Sequence, residues 1–123
     1  LPYSSLGKLR EYSSRSKLNL NITRAPHASV YASSTARLFE LGAMGCCTVS
    51  NPCEGMEEWF EVAKEIVVLE ETDQAADTYR RLLADVELRR EIGRRARARV
   101  LREHTYEHRA QELLGILEGF LGQ

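Results

Sequence analysis

Apolar residues recur along this chain with two different spacings, which predict a mixture of strands and helices. Between residues 17 and 22 apolar and polar positions alternate, as is typical of a strand. Short apolar runs at 46–49 and 65–69 predict two further strands of the buried kind. The alternating apolar residues of the first strand are Leu18, Leu20 and Ile22.

Helical patterns lie before, between and after these strands. The predicted helices cover residues 3–14, 35–44, 55–62, 72–84, 85–103 and 105–121. Thr72 or Asp73, Asp85 and Thr105 are residue types that cap helix starts, and Gly45 is expected to end the second helix. Residues 23–34 form a polar run that predicts a loop. Strands joined by helical crossovers imply an α/β fold with three layers, a parallel sheet flanked by helices.

Two of the predicted helices carry an apolar stripe that we expect to be buried. In the helix at 85–103 every fourth residue is apolar, and most arginines fall on its other faces. In the last helix the apolar positions also recur with helical spacing. The stripes consist of Leu88, Ile92, Ala96 and Val100 in one helix, and of Tyr106, Ala110, Leu113, Leu114, Leu117 and Leu121 in the other.

Composition excludes several classes of protein. The 123 residues are 43% hydrophobic and 28% charged with a net charge of −1, which argues against nucleic-acid binding through bulk charge. No stretch approaches the roughly 20 apolar residues of a membrane span. Three cysteines, two of them adjacent at Cys46 and Cys47, do not form a disulfide framework, so we expect a cytoplasmic location. The histidines and cysteines lack metal-ligand spacing, and the sequence predicts neither a metal site nor a cofactor.

Charge is distributed unevenly along the chain. Residues 54–77 contain nine acidic residues against one lysine, whereas residues 79–109 contain ten arginines against five acidic residues. The arginines fit either the solvated face of a helix or a patch that binds nucleic acid or phosphate. The buried stripe within them favours the solvated face.

Ligands of open parallel sheets bind beyond the carboxyl ends of the strands, which here are followed by residues 23–35, 50–56 and 69–72. The first of these loops leads into the helix at 35–44. The start of that helix offers unpaired N–H groups and the positive end of the helix dipole, which suit a phosphate. Helix capping alone would also explain its hydroxyl residues, which are Ser33, Ser34 and Thr35.

Glu40 is a carboxylate within an otherwise apolar stretch of the same helix. Burying an unpaired carboxylate is costly, so Glu40 requires a partner or must face a cavity. Arg37 lies one turn earlier and could form a purely structural ion pair with it. Alternatively, Glu40 lies one to two turns below a phosphate site, where it could accept hydrogen bonds from ribose hydroxyls.

The run from Arg37 to Val49 resembles the donor-site segment of GT-B glycosyltransferases of the group-1 type, closest to the spore-maturation-protein-like subgroup. The shared pattern is Arg-x-Phe-Glu, a helix of small residues that ends in Gly, and then a strand. The flanking strands and the arginine-rich closing helices also match in order and spacing. The resemblance covers roughly residues 8–117.

The resemblance implies roles for particular residues. Glu40 would bind the ribose of a nucleotide-sugar donor, and the helix start at 33–35 would face the diphosphate. Arg37 fits the subgroup pattern and would contact the donor or brace the loop. Asn21 and Arg24 follow the first strand and are further candidate donor contacts. Many relatives have a second glutamate eight positions before the one that corresponds to Glu40. This chain has Ala32 at that position.

The resemblance also implies that residues 1–123 are one domain fragment. GT-B enzymes have two Rossmann-like domains, and the chain matches the latter half of the second. The N-terminal acceptor domain, which usually carries the catalytic base, would be missing, so no catalytic residue is assigned here and the fragment alone would be inactive. The alternative is a non-catalytic, receiver-like interaction module, but such a module needs an acidic cluster at the end of its first strand.

In this arrangement the three strands would be the fourth to sixth of a sheet with order 3-2-1-4-5-6. The outer edge of residues 17–22 would then be unpaired and could join a second copy in a homodimer, unless residues 3–14 cover it. The last helix would lack the first domain on which it usually packs. Its end at Leu117, Phe120 and Leu121 would therefore be left exposed or meet a neighbouring copy.

Overall fold

The computed structural model describes residues 5–30 and 36–122, and within them three strands form one parallel sheet. Strand β1 (Asn19–Asn21) pairs with β2 (Thr48–Ser50), and β2 pairs with β3 (Val67–Val68). Leu20 lies opposite Val49, and Val49 lies opposite Val67. The predicted α/β class, strand order and parallel direction are confirmed, and the arrangement is that of half a Rossmann-like domain.

Helices lie before, between and after the strands. Their bounds are α1 Leu6–Arg15, α2 Ala25–Ala28, α3 Ala36–Ala43, α4 Met56–Trp59, α5 Ala75–Ala84, α6 Val86–Glu103 and α7 Tyr106–Leu121. None of these described helices combines the length and the apolar character that crossing a membrane requires.

Two local predictions of secondary structure were wrong, one about a loop and one about a helix start. Residues 25–28 form a helical turn inside the predicted loop, because Pro26 lies in the first turn, where its missing N–H costs nothing. Residues Thr72–Gln74 form a 3₁₀ turn, so neither Thr72 nor Asp73 caps α5. The residue before α5 is Gln74, which makes no side-chain capping bond.

The two other predicted caps are confirmed. The Asp85 carboxylate accepts a hydrogen bond of 2.8 Å from the Leu88 N–H at the start of α6. At the start of α7, Thr105 Oγ1 accepts from the His108 N–H, and His108 Nδ1 accepts in turn from the Thr105 N–H. Gly45 follows α3 with a φ of +72°, the left-handed conformation expected of a residue that ends a helix.

Helix α6 contributes to the core on both faces of the sheet. Adjacent strand residues Ile66 and Val67 point to opposite faces and join different apolar clusters. Ile92 belongs to one cluster, and Ala96 and Val100 belong to the other. The predicted stripe of α6 is thus confirmed, with Leu88 half-buried at its start.

The backbone of α6 approaches the turn after α3 very closely. A Cβ atom on Gly93 would overlap the carbonyl oxygen of Gly45. Arg97 also donates from Nη1 to the carbonyl oxygen of Ala43, close to the end of α3. Glycine at position 93 therefore determines how near α6 lies to α3 and the sheet.

The apolar face of β1 is largely uncovered. Leu20 is 48% exposed and Ile22 is 66% exposed, whereas Asn21 and Thr23 are buried. Leu18 is half-buried against the cluster that contains Val49 and Leu82. Within the described residues no strand pairs with the outer edge of β1, and the Leu20 and Ile22 side chains beside that edge are accessible.

The expectation that α7 buries its apolar stripe was wrong. No residue of α7 is buried, and even Leu117 is 47% exposed. The helix begins beyond the end of α6, where no described element packs along its stripe. The narrower expectation, that the end of this helix is exposed at Leu117, Phe120 and Leu121, is confirmed.

Where α6 ends, His104 joins an aromatic cluster and makes two hydrogen bonds. Its Nε2–H donates to the Trp59 carbonyl at 3.0 Å, and its Nδ1 accepts from Arg109 Nη2 at 2.7 Å. These partners require the neutral ring. Burial lowers the pKa of His104, the Arg109 charge lowers it further, and the Trp59 carbonyl opposes both effects.

We expect Gly93→Ala to destabilise the fold, because no rotamer change can relieve an overlap with backbone. The loss in free energy of unfolding should be about 2 kcal/mol or more, since overpacking typically costs about 1–3 kcal/mol and outweighs the better helix propensity of alanine. Gly115→Ala is the control, because a Cβ there meets nothing within 4 Å. It should stabilise α7 by about 0.5–1 kcal/mol. Urea unfolding that shows the same sign for both variants would contradict the Gly93 constraint.

The accessible edge of β1 predicts a concentration-dependent dimer in which two copies pair these edges about a two-fold axis. Leu20→Lys should shift light scattering toward monomer, because a charge beside an edge strand opposes pairing. Leu101→Lys changes a leucine of similar exposure, 51%, on α6 and should leave association unchanged. A wild-type monomer at high concentration would contradict edge pairing.

The lowered pKa of His104 predicts a loss of stability on mild acidification. In the unfolded chain His104 takes up a proton near its ordinary pKa of 6.5, whereas in the folded chain it does so only at lower pH. The stability that neutral His104 contributes is therefore complete above pH 6.5 and is lost as pH falls through the folded pKa. Thermal unfolding between pH 7.5 and 5.5 should therefore show a steeper decline than in His104→Gln. Carboxylates titrate at lower pH, and parallel profiles for the two proteins would refute this role.

Candidate functional site

The carboxyl ends of all three strands meet at one edge of the sheet, as the sequence predicted for the segments after them. A cavity of about 300 Å³ lies at this edge. Its wall combines apolar side chains with two carboxylates and, in its described lining, contains no cation. The principal lining residues are Ile22, Val49, Asn51, Leu69, Glu70, Glu71 and Tyr79.

Asn51 holds this edge together although the sequence did not single it out for a site. Its Oδ1 accepts from the Thr23 N–H at 2.8 Å, and its Nδ2 donates to the Thr23 carbonyl at 2.9 Å. The side chain thereby extends the β1–β2 pairing beyond the strand ends. An asparagine directly after a buried strand and before a proline is the signal that could have identified it.

Asn21 lies beneath the edge. It is 1% exposed, and its Nδ2 donates to Ser50 Oγ at 3.0 Å, while that hydroxyl donates to the Asn21 carbonyl at 3.1 Å. These bonds join β1 and β2 through a polar pair where most of the core is apolar. The structure therefore gives Asn21 a bracing position, and its contact with a donor stays a prediction.

The loop after β1 contains α2 and is anchored at the end of that helix, but not by the side chain at its start. Arg24 immediately precedes α2, is exposed and makes no capping bond with its side chain. At the other end the Glu54 N–H donates to the Ala28 carbonyl at 2.8 Å. Ser33, Ser34 and Thr35, the predicted start of the donor-site helix, and Ala32 lie outside the described residues.

Arg37 lies in the first turn of α3 and Glu40 lies one turn later, in the middle of the helix. Arg37 is exposed and Glu40 is half-buried. No ion pair joins them, and neither side chain forms a hydrogen bond or ion pair with any other residue in the described part of the chain. The structural alternative of an Arg37–Glu40 pair therefore does not account for this carboxylate.

Phe39 fixes the orientation of α3 next to Glu40. Its ring lies 5.2 Å from that of His104, 5.7 Å from Phe60 and 5.9 Å from Trp59, measured between centroids. Leu38 and Leu41 are buried on the same helix. With three neighbouring side chains packed, Glu40 is held at the boundary between core and solvent.

Glu40 does not line the cavity at the strand ends. The cavity is bounded by Val49, Leu69 and Tyr79, which belong to the cluster around Leu82, whereas α3 packs in the cluster on the opposite face. Helix α3, which carries Arg37 and Glu40, therefore packs on the face of the sheet opposite to the cavity.

Other reactive groups offer little chemistry in the described residues. Burial raises the pKa of Cys47 to about 11, with partial opposition from the Arg89 charge, and burial also raises the pKa of Cys46. Both thiols therefore remain protonated near neutral pH and are poor nucleophiles. Within the same residues, no group of three or more histidine, cysteine and acidic side chains is arranged to hold a metal ion.

Comparison with known proteins agrees with this architecture. The model of a family described as glycosyl transferase-like matches residues 4–115, which is most of the chain. No curated protein matches the chain. A receiver-like interaction module is not favoured by this result. Because the match spans far more than half of its length, the chain belongs to the glycosyl transferase-like family.

Proposed function

We propose that this chain is the donor-binding part of a GT-B glycosyltransferase that transfers a sugar from a nucleotide-sugar to an acceptor. The family match supports a glycosyltransferase-type function. The observation that carries the finer proposal is the Glu40 carboxylate, which is half-buried one turn below the first turn of α3 and has no partner among the described residues.

In this proposal Glu40 accepts hydrogen bonds from the ribose hydroxyls of the donor. A carboxylate acceptor forms charge-assisted hydrogen bonds that are about twice as strong as neutral ones. The packing of Phe39, Leu38 and Leu41 fixes the backbone of α3 at Glu40 before ligand arrives, so only the rotamers of the Glu40 side chain have to be ordered on binding.

The donor diphosphate would lie at the start of α3. Backbone N–H groups and the dipole of the helix favour an anion there, and Ser33, Ser34 and Thr35 would add hydroxyl donors. Arg24 would supply a cation from the loop after β1, since its side chain is exposed and does not cap α2. Arg37 would contact the donor or brace the loop, and Asn21 would act from beneath through Ser50.

The catalytic base and the acceptor site would lie on an N-terminal domain outside residues 1–123. The three-stranded sheet supports this division, because it corresponds to half of a Rossmann-like domain with an uncovered edge at β1. The chain alone would bind donor weakly and be catalytically inactive. We also propose a cytoplasmic location, which suits three unbridged cysteines.

We expect Glu40→Gln to weaken donor binding about three- to tenfold, because the amide oxygen still accepts hydrogen bonds but the charge supplies about half of their 1.5–3 kcal/mol. The measurement is NMR titration of this chain with UDP, GDP, ADP and dTDP, followed by the donor KM and kcat in the intact enzyme. Glu118→Gln is the matched control, since it removes the same charge from the exposed helix α7.

The fold of each variant is checked by its thermal transition. A normally folded Glu40→Gln protein with unchanged donor affinity and unchanged kinetics would refute the role of Glu40. Equal losses in Glu40→Gln and Glu118→Gln would show a general charge effect rather than ribose recognition.

A further inference from the structure

A second cavity lies at the opposite edge of the sheet, where β1 and β2 begin. Its volume is about 290 Å³. It is bounded by the end of α1, the turn between α3 and β2, and the first turn of α6. None of the candidate donor-site residues that the structure describes, which are Asn21, Arg24, Arg37 and Glu40, lines it.

The wall of this cavity is cationic. Arg15, Lys17, Arg89 and Arg90 line it, and no carboxylate belongs to its described lining. Ser13 and Ser14 at the end of α1 and Ser16 just after it also line the cavity. The four cations come from two segments, 15–17 and 89–90, and their combined positive potential favours an anion in the space between them.

Three of the four cations can contact a ligand with little loss of existing interactions. Lys17 forms no ion pair with any described residue. Arg15 pairs with Glu11 and Arg90 pairs with Glu87, but these are exposed pairs of neighbouring turns, which contribute little stability. Neither glutamate lines the cavity.

Arg89 is held in position. It is half-buried, and its Nη1 donates to the carbonyl oxygens of Leu82 and Leu83 at the end of α5. The guanidinium is therefore fixed by the fold, with its other N–H groups available for a planar anion. One preorganised cation and three adaptable ones make a suitable arrangement for a multiply charged ligand.

We propose that this cavity binds the phosphate groups of a small phosphorylated molecule, at a site separate from the donor site. Arginine and lysine with hydroxyl donors are the side chains that recognise phosphate oxygens. The volume lies at the lower end of the range for small-molecule sites, which fits a diphosphate or a sugar phosphate. The proposal does not rest on the donor-binding role, because it uses different residues at the other edge of the sheet.

The test uses inorganic pyrophosphate as the probe, with NMR mapping of shifts and calorimetry on the full chain. We expect saturable binding with Kd below about 1 mM, and shifts centred on Ser14, Lys17, Gly45 and Arg90. Lys17→Gln with Arg90→Gln should weaken binding about tenfold or more, the loss expected when charged hydrogen-bond donors are removed.

Arg94→Gln with Arg102→Gln is the matched control. It removes the same number of charges from exposed, glutamate-paired positions of α6 that do not line the cavity, so affinity should stay within about twofold of wild type. Equal weakening in both double variants, or no saturation at millimolar pyrophosphate, would overturn the proposal.

Vesicles that contain anionic lipid form the second arm of the test. Binding to such vesicles without binding of pyrophosphate would show a surface that follows membrane charge and would also overturn the proposal. Failure of either arm leaves the Glu40 titration unaffected, because Glu40 lies outside this cavity.

Discussion

The close approach of α6 to the turn after α3 is the constraint on which the rest of the structure depends. Gly93 allows the α6 backbone to reach the Gly45 carbonyl, and no side chain would fit between them. At this distance Ile92 and Ala96 enter the clusters on the two faces of the sheet. The same contact fixes α3, and with it the position of Glu40 at the edge of the core.

The polar bonds at the strand ends are the second constraint. The three strands are only two or three residues long, so backbone pairing alone gives the sheet few hydrogen bonds. Asn51 adds two bonds to the Thr23 backbone, and the Ser50–Asn21 pair adds more beneath them. These polar side chains are the reason that the candidate site has a defined edge, although they occupy volume that apolar residues could have filled.

The sequence predicted what depends on local spacing and capping. The stripe of α6 and the caps Asp85 and Thr105 follow from periodicity and residue type, whereas the strand order came from the family resemblance. The sequence did not predict which surfaces are covered in the fold. The alternation at Leu20 and Ile22 predicts a strand with an apolar face, but it does not say whether that face of β1 is covered. The α7 stripe was misassigned for the same reason. In the candidate site, Glu40 was identified as an anomaly in an apolar helix, but Asn51 was missed because its role depends on a residue 28 positions earlier.

The fold converts a charge asymmetry along the sequence into one between the two edges of the sheet. The cavity beyond the strand ends has Glu70 and Glu71 in its wall, whereas the cavity at the strand starts has four cations. An anionic donor is therefore disfavoured in the first cavity unless other groups offset these carboxylates. Neither Arg24 nor any described residue of α3 belongs to the lining of that cavity. This distribution of charge is why the proposed diphosphate position is at the start of α3, rather than inside the cavity beside Glu70.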